Sequence, residues 1–380
     1  MKLYNSLTQR LENFIPQIEK EVTLYVCGIT PYDTTHLGHA FLYMQFDALV
    51  RYFSHKGYKT NYTQNITDID DDLLKRAKRD GRDWKELGDF WTEKFITDLK
   101  NLNIQMPTHY VKATGSIEKI IEMTKILVEK GFAYEVNGNV YFEISKFQPY
   151  GRLSGFSRDQ MLQIAKERGG RVDDMNKRDP LDFILWLKSE PDEPSWDSPW
   201  SKGRPGWHIE CSAMVNEFLG ESIDIHGGGR DLIFPHHESE IAQSESYTGK
   251  APYVGTWMHA AMVMYQGEKM SKSLGNMVMV SDLLKTYSPN TIRYMLLSHQ
   301  YRKPWEFNYE EMEEAQRQVE EVEARFKKET EGTDARVGLE EFEKAMEDDF
   351  NTPRALAILA ETKDINTASQ MFSIFGFTTN

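Results

Sequence analysis

The hydrophobic pattern near the amino terminus predicts a strand, a helix and a second strand in succession. Residues 22–29 (VTLYVCGI) form a short apolar run, which is typical of a buried strand. After the turn-prone residues 30–39 (TPYDTTHLGH), apolar side chains recur at helical spacing, and Gly57 supplies a typical helix stop. The helical positions are Leu42, Phe46, Leu49, Val50 and Phe53. Residues 59–66 return to strand character, so this order predicts the opening of a doubly wound parallel sheet.

Patterned and irregular segments alternate along the rest of the chain. Acidic residues 68–72 open a second helix, residues 114–130 are amphipathic, and Asn137-Gly138 favours a tight hairpin turn. Residues 148–204 hold many prolines and glycines with little periodicity, which indicates an insertion between two halves of the sheet domain. Further elements are expected as strand and helix over 207–225, a late strand over 257–265 and a long solvated helix over 310–332.

Length, composition and charge narrow the class of protein. A chain of 380 residues exceeds one usual hydrophobic core, which predicts two or three domains. No apolar run reaches the length of a membrane span and the start lacks a signal-peptide core, so we expect a cytoplasmic protein without a membrane partner. The net charge of −14 repels polyanions on average, although a local basic groove can outweigh it. No disulfide between Cys27 and Cys211 is expected in a reducing cytosol.

A first candidate for phosphate binding is His36-Leu37-Gly38-His39, at the predicted junction of strand and helix. A helix N-terminus presents unpaired N–H groups and a partial positive charge, and both attract phosphate. Gly38 allows a flat ligand to approach the backbone, and the two imidazoles lie near one another on the first turn. By itself, a pair of histidines at this place is more often structural or metal-binding.

The second candidate is the segment 267–276 (GEKMSKSLGN), in which Lys269 and Lys272 flank a Met-Ser pair. Lysine is a compact point charge suited to pyrophosphate, and the flanking glycines allow a loop to close over a ligand. Composition alone would favour a solvated basic turn. Together, HLGH and the later KMSKS resemble the signature pair of class I aminoacyl-tRNA synthetases, in the expected order and setting.

A third group of residues offers metal ligands: Cys27, Cys211, His236 or His237, and Glu240. Their spacing alone is poor evidence for zinc, because no CxxC pair is present. His236 and Glu240 share one helical face at spacing four, and zinc accepts thiolate, imidazole and carboxylate together.

Several motifs resemble cysteinyl-tRNA synthetases in order and spacing across nearly the whole chain. They are CGIT at Cys27, NITDIDD at Asn65, RPGWHIECSAM at Arg204, DIHGGGRDLIFPHHESEIAQS at Asp224 and KMSKSLGN at Lys269. The resemblance implies an α/β fold, with a doubly wound, Rossmann-like class I catalytic domain, an α+β insertion and a C-terminal helical domain. The implied divisions are two catalytic halves at 1–118 and 205–265, a connective insertion at 119–204, the KMSKS loop and stem-contact region at 266–308, and helices at 309–380 without a separate anticodon-binding domain.

The same resemblance implies cofactors and site residues. One Zn²⁺ per chain would be bound by Cys27, Cys211, His236 and Glu240, and Mg²⁺ would accompany ATP. The implied catalytic residues are His36, His39, Lys269 and Lys272. Those implied for L-cysteine are Gly28, Thr67 and Trp207, although core packing is the simpler explanation for Trp207. Those implied for ATP are His36, Gly38, His39, Gly227, Gly228, Gly229, Asp231 and Lys272.

The acceptor of the cysteinyl group is the point on which the sequence is least decisive. One expectation is the terminal ribose of tRNA(Cys), the family default. The alternative is a small-molecule amine, as in the mycothiol-pathway ligase, which residues 35–40 (THLGHA) and 154–162 (SGFSRDQML) also resemble. A silent nucleotide-binding paralogue is a third interpretation, which the intact HLGH, KMSKS and metal ligands argue against. As the family default, tRNA(Cys) is the expected partner beside ATP and L-cysteine, with a small-molecule amine as the alternative acceptor.

Overall fold

The structure is a computed structural model that describes residues 1–32, 35–270, 274–326 and 335–379. The strands are β1 Lys2–Asn5, β2 Arg10–Asn13, β3 Glu21–Ile29, β4 Lys59–Ile66, β5 His109–Lys112, β6 Ala133–Val136, β7 Asn139–Phe142, β8 Phe183–Lys188, β9 Gly203–Pro205, β10 Ile223–Gly229, β11 Val254–Ala260, β12 Val263–Tyr265, β13 Glu268–Lys269 and β14 Trp305–Glu306. The helices are α1 Leu37–His55, α2 Asp71–Asp80, α3 Trp84–Asn101, α4 Ile117–Glu129, α5 Arg158–Glu167, α6 Trp207–Phe218, α7 His236–Thr248, α8 Val280–Leu283, α9 Pro289–Leu297, α10 Tyr309–Phe326, α11 Ala335–Glu347, α12 Thr352–Glu361 and α13 Ile365–Ile374.

A five-stranded parallel sheet in the order β11-β10-β3-β4-β5 organises the molecule. The chain runs outward from β3 through β4 to β5, and returns as β10 and β11 on the other side of β3. The strand order therefore reverses between β3 and β10. In open parallel sheets, ligands bind outside the carboxyl ends of the strands at such a reversal. This is the predicted doubly wound α/β fold.

Buried apolar residues explain why the first strands and helix form where the sequence predicts them. Strand β3 is buried along most of its length, and α1 buries Phe41, Phe46 and Leu49 against the sheet. At Gly28, near the carboxyl end of β3, a Cβ atom would lie 1.6 Å from the carbonyl oxygen of Asn65 in β4. Only glycine allows the two strands to approach so closely. The close approach occurs where the pairing of β3 with β4 shifts register.

Between β5 and β10 the chain builds a second, antiparallel sheet in the order β6-β7-β8-β9. The hairpin between β6 and β7 turns at Asn137 and Gly138, whose φ angles are 56° and 86°, as the Asn-Gly pair predicts. Residues 148–204, which look irregular in sequence, contain α5, β8 and most of β9, and the two strands β8 and β9 complete this sheet. The insertion therefore has more regular structure than its composition suggests. The boundaries of the domains stay predictions.

Two predicted elements in the second half differ in detail from the structure. The late strand expected over 257–265 is wrong as a single element, because β11 and β12 belong to different sheets. The long helix expected over 310–332 is described as α10, Tyr309–Phe326, and residues 327–334 lie outside the described part of the chain. It is amphipathic, since Met312, Ala315, Val319 and Val322 are buried on one side. Among the described residues, no helix is long and apolar enough to cross a membrane.

Candidate functional site

Four buried side chains converge beside the point where the strand order reverses. Cys27 projects from β3, Cys211 from α6, and His236 and Glu240 from the first turns of α7. Their potential ligand atoms all lie within 4.8 Å of one another. The His236 Nε2 atom is 3.3 Å from Cys211 Sγ and 3.1 Å from Glu240 Oε1, and Cys27 Sγ is 3.8 Å from the same carboxylate oxygen. The predicted ligands are therefore assembled in space.

The structure also brings together a second group that shares two of these residues. Cys27 and Glu240 meet the requirement for a common metal with His226 and His237. The His237 Nε2 atom lies 3.3 Å from Cys27 Sγ, and His226 Nε2 lies 2.9 Å from Glu240 Oε2. The sequence left the choice between His236 and His237 open and missed His226, which no local spacing relates to the other ligands. Only the group with His236 contains both thiols.

In the group with His236, the pKa values of Cys211 and Glu240 favour the negatively charged forms that bind a cation. Burial raises the pKa of the Cys211 thiol, but the hydrogen bond with Cys27 and the charge of His236 lower it to about 6. Burial likewise raises the pKa of Glu240, but His226 and His236 lower it to about 2. Burial lowers the pKa of the His236 imidazole, but the neighbouring Cys211 and Glu240 raise it to about 10. A thiolate and a carboxylate buried together require a compensating positive charge, which protonated His236 contributes here and which a bound divalent metal would supply.

Further histidines lie within hydrogen-bond distance of the candidate ligands His236 and His237. The Nδ1 atom of His237 lies 2.8 Å from His259 Nε2, and His259 Nδ1 lies 2.8 Å from Ser6 Oγ. His208 Nδ1 lies 3.0 Å from His236 Nδ1. Such outer hydrogen bonds orient ligating rings and tune their basicity. The sequence analysis named neither His208 nor His259 as a site residue.

The residues predicted for the cysteine pocket lie next to this centre. The Trp207 ring stacks on His236 with a centroid separation of 4.4 Å and an interplanar angle of 30°, and it stays partly exposed. Trp207 therefore lies between His236 and solvent, and its role in a cysteine pocket stays a prediction. The Gly28 N–H donates to Asn65 Oδ1 at 2.7 Å, and Asn65 Nδ2 donates to Thr67 Oγ1 at 3.1 Å, so Gly28 and Thr67 share one hydrogen-bond chain.

A buried acid beside this pocket was missed by the sequence analysis. Glu210 precedes the candidate ligand Cys211 in α6, and its side chain is buried near Thr67. Burial, with the nearby Cys211, raises the pKa of Glu210 well above its usual range. Within the described residues its Oε2 atom has no hydrogen-bond partner. A glutamate between Ile209 and Cys211 carries no local signal of burial, because its burial depends on the packing of α6 against β4 and other distant elements.

The N-terminus of α1 carries the first predicted phosphate-binding segment and contacts residues that follow the second. His36 is the N-cap, and its Nδ1 accepts a hydrogen bond from the Gly38 N–H at 3.1 Å. The rings of His36 and His39 stack with centroids 3.7 Å apart. His36 also forms a β-bridge with Met279, and the Leu37 N–H donates to the Val278 carbonyl at 2.8 Å. The segment that follows KMSKS is thus anchored against HLGH.

The lysines and glycines predicted for the nucleotide are placed only in part. Lys269 Nζ lies 3.2 Å from Asp231 Oδ2, whereas Lys272 lies outside the described residues. Gly227 and Gly228 have packing reasons, because added Cβ atoms would lie 2.2 Å from the Phe46 ring and 2.7 Å from the His237 ring. At Gly229 the nearest atom would be the carboxylate of Asp231, at 2.6 Å. These glycines allow α1 and α7 to approach β10 closely.

Comparison with known proteins gives the family. Residues 13–317 match the family described as tRNA synthetases class I (C) catalytic domain, and residues 341–374 match the DALR domain. A cysteine–tRNA ligase of Thermodesulfovibrio yellowstonii is 46% identical over 389 residues, covering 96% of this chain and 79% of the relative. A cysteine–tRNA ligase of Thermococcus onnurineus is 45% identical over 382 residues, with the same 96% and 79% coverage.

Solved structures agree with the fold. The chain is similar to a Mycobacterium tuberculosis methionyl-tRNA synthetase in complex with methionyl-adenylate, with a TM-score of 0.68 and 15% identity. The match covers 93% of this chain and 84% of that one. At such low identity this likeness supports the architecture alone, while the matched catalytic domain and the two relatives identify the sequence family. The chain belongs to the class I tRNA synthetases, and within them to the family of cysteine–tRNA ligases.

Proposed function

We propose that the protein uses ATP to convert L-cysteine to cysteinyl-adenylate and transfers the cysteinyl group to the terminal adenosine of tRNA(Cys). The observation that carries this proposal is the buried group of two thiols, an imidazole and a carboxylate beside Trp207, at the reversal of the parallel sheet. The matched catalytic domain and the names of the relatives support it. A cytoplasmic location is part of the same proposal.

The metal in this proposal is one Zn²⁺ per chain, held by Cys27, Cys211, His236 and Glu240. Two sulfur ligands with one nitrogen and one oxygen form a donor set that zinc accepts and that hard cations avoid. When bound, zinc supplies a Lewis acid for which a substrate thiolate is a far better ligand than a hydroxyl. Serine and cysteine have nearly the same shape, and packing alone separates such side chains by about 1–3 kcal/mol.

The protein's own groups align the reactants for adenylate formation. The cysteine carboxylate attacks the α-phosphorus of ATP and expels pyrophosphate, so catalysis rests on positioning and charge stabilisation. We assign His36 and His39, with Gly38 at the N-terminus of α1, to the phosphates, and Lys269 with Lys272 to the pyrophosphate. Mg²⁺ accompanies ATP.

The remaining predicted residues complete the two pockets. Gly28, Thr67 and Trp207 surround the substrate cysteine. Gly227, Gly228, Gly229 and Asp231 face the adenosine, and Asp231 accepts from the ribose hydroxyls. Asp231 holds Lys269 at 3.2 Å in this structure. Binding of the ribose to Asp231 would therefore release Lys269 toward the pyrophosphate.

Two measurements on the zinc-loaded protein test the proposal. Cysteine-dependent exchange of labelled pyrophosphate into ATP reports adenylate formation without any acceptor. Labelled cysteine should then transfer to tRNA(Cys) transcripts and not to a small-molecule amine fraction. Absence of exchange contradicts cysteine activation. Robust exchange with transfer to amines alone contradicts the tRNA acceptor and would instead identify an amine ligase.

A further inference from the structure

A cavity of about 310 Å³ opens beside the proposed adenosine site. Five parts of the chain enclose it: strand β1 with the turn after it, the segment around α5 in the insertion, the turn that follows β10, the end of β11, and the loop after α9. The aromatic and charged side chains that line it include Tyr4, Phe156, Arg168, Arg230, Asp231 and Arg302. The functions proposed above account for Asp231 alone among them.

The cavity is continuous with the catalytic centre through two lining residues. Asp231 borders the cavity and pairs with Lys269 at 3.2 Å, so one end of the cavity lies where ribose and pyrophosphate are proposed to bind. His259 also borders it, and contacts His237 at 2.8 Å, which in turn lies 3.3 Å from Cys27. A ligand held here would be a direct neighbour of the adenylate.

Two of the three arginines that line the cavity, Arg168 and Arg230, have no carboxylate partner among the described residues and give the cavity positive charge on an acidic protein. The net charge of the chain is −14, and residues 309–380 hold 18 acidic against 8 basic side chains. Arg302 is neutralised by Asp349 and lies over the Tyr4 ring at 4.6 Å. Arg168 donates to the Phe234 carbonyl at 2.9 Å. Arg230 is exposed, and the described parts of the chain offer it no hydrogen-bond or ion-pair partner.

An exposed aromatic ring accompanies these charges. Phe156 leaves 36% of its surface accessible, which places it among the exposed large apolar residues. Its ring lies edge to face against Phe234, with centroids 6.2 Å apart. Aromatic rings with adjacent arginines bind unpaired nucleotides, because the base stacks on the ring and the phosphate pairs with the guanidinium.

We propose that this cavity binds the unpaired nucleotide that precedes the terminal adenosine of the acceptor tRNA. The base stacks on Phe156, and its phosphate is bound by Arg230 with Arg168. The proposal rests on the proposed tRNA acceptor: the terminal ribose must reach the adenylate beside Asp231, so the nucleotide before it lies one step outward, in this cavity. The local positive charge offsets the repulsion between tRNA and an acidic chain.

The first test separates the acceptor from the other substrates. Arg230→Ala should raise the KM for tRNA(Cys) about tenfold, which is the usual cost of losing a charge-assisted hydrogen bond. It should also reduce the slope of log affinity for tRNA against log salt concentration by about one. Phe156→Ala should raise it about fivefold or more, as lost base stacking does. Arg230→Lys should restore most of the affinity. Lys125→Ala, which removes one exposed charge from α4, is the matched control and should change nothing.

The second test identifies the nucleotide. Filter binding compares tRNA(Cys) shortened by one 3′ nucleotide with tRNA(Cys) shortened by two. Arg230→Ala should weaken binding of the first about tenfold and leave binding of the second unchanged, because only the first retains the proposed contact.

Other outcomes overturn this inference without touching cysteine activation. A raised KM for ATP in pyrophosphate exchange would assign the cavity to ATP, and an unchanged KM for tRNA would leave it without an acceptor role. An equal penalty on both shortened tRNAs would place the contact elsewhere on the tRNA. Failure of exchange in the wild-type protein would instead overturn the proposed function itself.

Discussion

At the scale of the residue, the centre holds a buried thiol and a buried carboxyl group whose charged forms need a positive charge beside them. Cys27, Cys211, His236 and Glu240 are all nearly fully buried, yet the pKa of Cys211 falls to about 6 and that of Glu240 to about 2. Protonated His236 is the partner that lowers both. A bound metal would take over that role and return the imidazole to its neutral, ligating form.

Cys211→Ser should lose the metal, because a hydroxyl is a poor zinc ligand. We expect zinc content to fall from one per chain to near zero and cysteine-dependent pyrophosphate exchange to fall with it. Zinc analysis of the purified protein and the exchange rate measure the two effects. Ser212→Ala, the next residue and also buried, is the matched control and should keep both. A Cys211→Ser protein with full exchange would contradict the ligand assignment.

Discrimination against serine follows from the same ligands. Packing differences of this size give about 10–200-fold selectivity, whereas a metal–thiolate bond should give several orders of magnitude. The ratio of kcat/KM for cysteine and serine in pyrophosphate exchange measures it. Comparable rates for the two amino acids would mean that the metal does not contact the substrate side chain.

At the scale of the element, α1 combines a capped N-terminus with two stacked histidines. The cap formed by His36 satisfies the Gly38 N–H, and the strand-like contacts of residues 278–280 hold the following loop against the same turn. His36 therefore has a structural role in addition to its proposed contact with phosphate, and a simple alanine substitution would remove both.

Two substitutions at His36 separate these roles. His36→Ala should cost about 0.5–2 kcal/mol of stability through the lost cap, while His36→Asn should keep the cap because asparagine is a favoured N-cap residue. Both should lower the exchange rate by about 10²-fold or more, since neither supplies an imidazole to the phosphates. Thermal unfolding and exchange kinetics give the two readouts. If His36→Asn is as active as the wild type, the imidazole acts only as a cap.

At the scale of the whole molecule, one buried arginine ties the catalytic sheet to the carboxyl-terminal helices. Arg293 of α9 is fully buried and pairs with Asp47 of α1 at 2.5 Å. Its guanidinium also donates to the Leu102 carbonyl at 2.8 Å and to the Phe375 carbonyl, just after α13. The helix that begins with HLGH is thereby joined to the region matched by the DALR domain.

Arg293→Met should destabilise the protein by about 1–3 kcal/mol, because the buried carbonyls of Leu102 and Phe375 lose their donor, although Asp47 keeps its pairing with Arg51. Urea denaturation followed by circular dichroism measures the change. Arg317→Met in α10 removes an exposed arginine that pairs with Glu314, and should stay within about 0.5 kcal/mol of the wild type. Equal effects of the two substitutions would show that the junction contributes nothing special to stability.

Local pattern was sufficient for the elements around the first motif. Strands β3 and β4 lie within one residue of their predicted ends, because an apolar run and a glycine stop are properties of neighbouring residues. The same holds for the turn at Asn137 and Gly138. The late segment 257–265 failed for the opposite reason: one continuous pattern serves two strands, and their membership in different sheets depends on remote partners.

The site residues likewise fall into those that the sequence indicated and those that only the fold brings together. The sequence by itself determined which residue types were available, and its motifs pointed to Cys27, Cys211, His236 and Glu240. Only the tertiary structure decided how they meet, since β10 must insert beside β3 before α6 and α7 can bring their side chains to Cys27. His226, Glu210 and the arginine-lined cavity were decided by packing alone. Their contacts join residues far apart in the chain, and no local periodicity records which distant segments will enclose a given side chain.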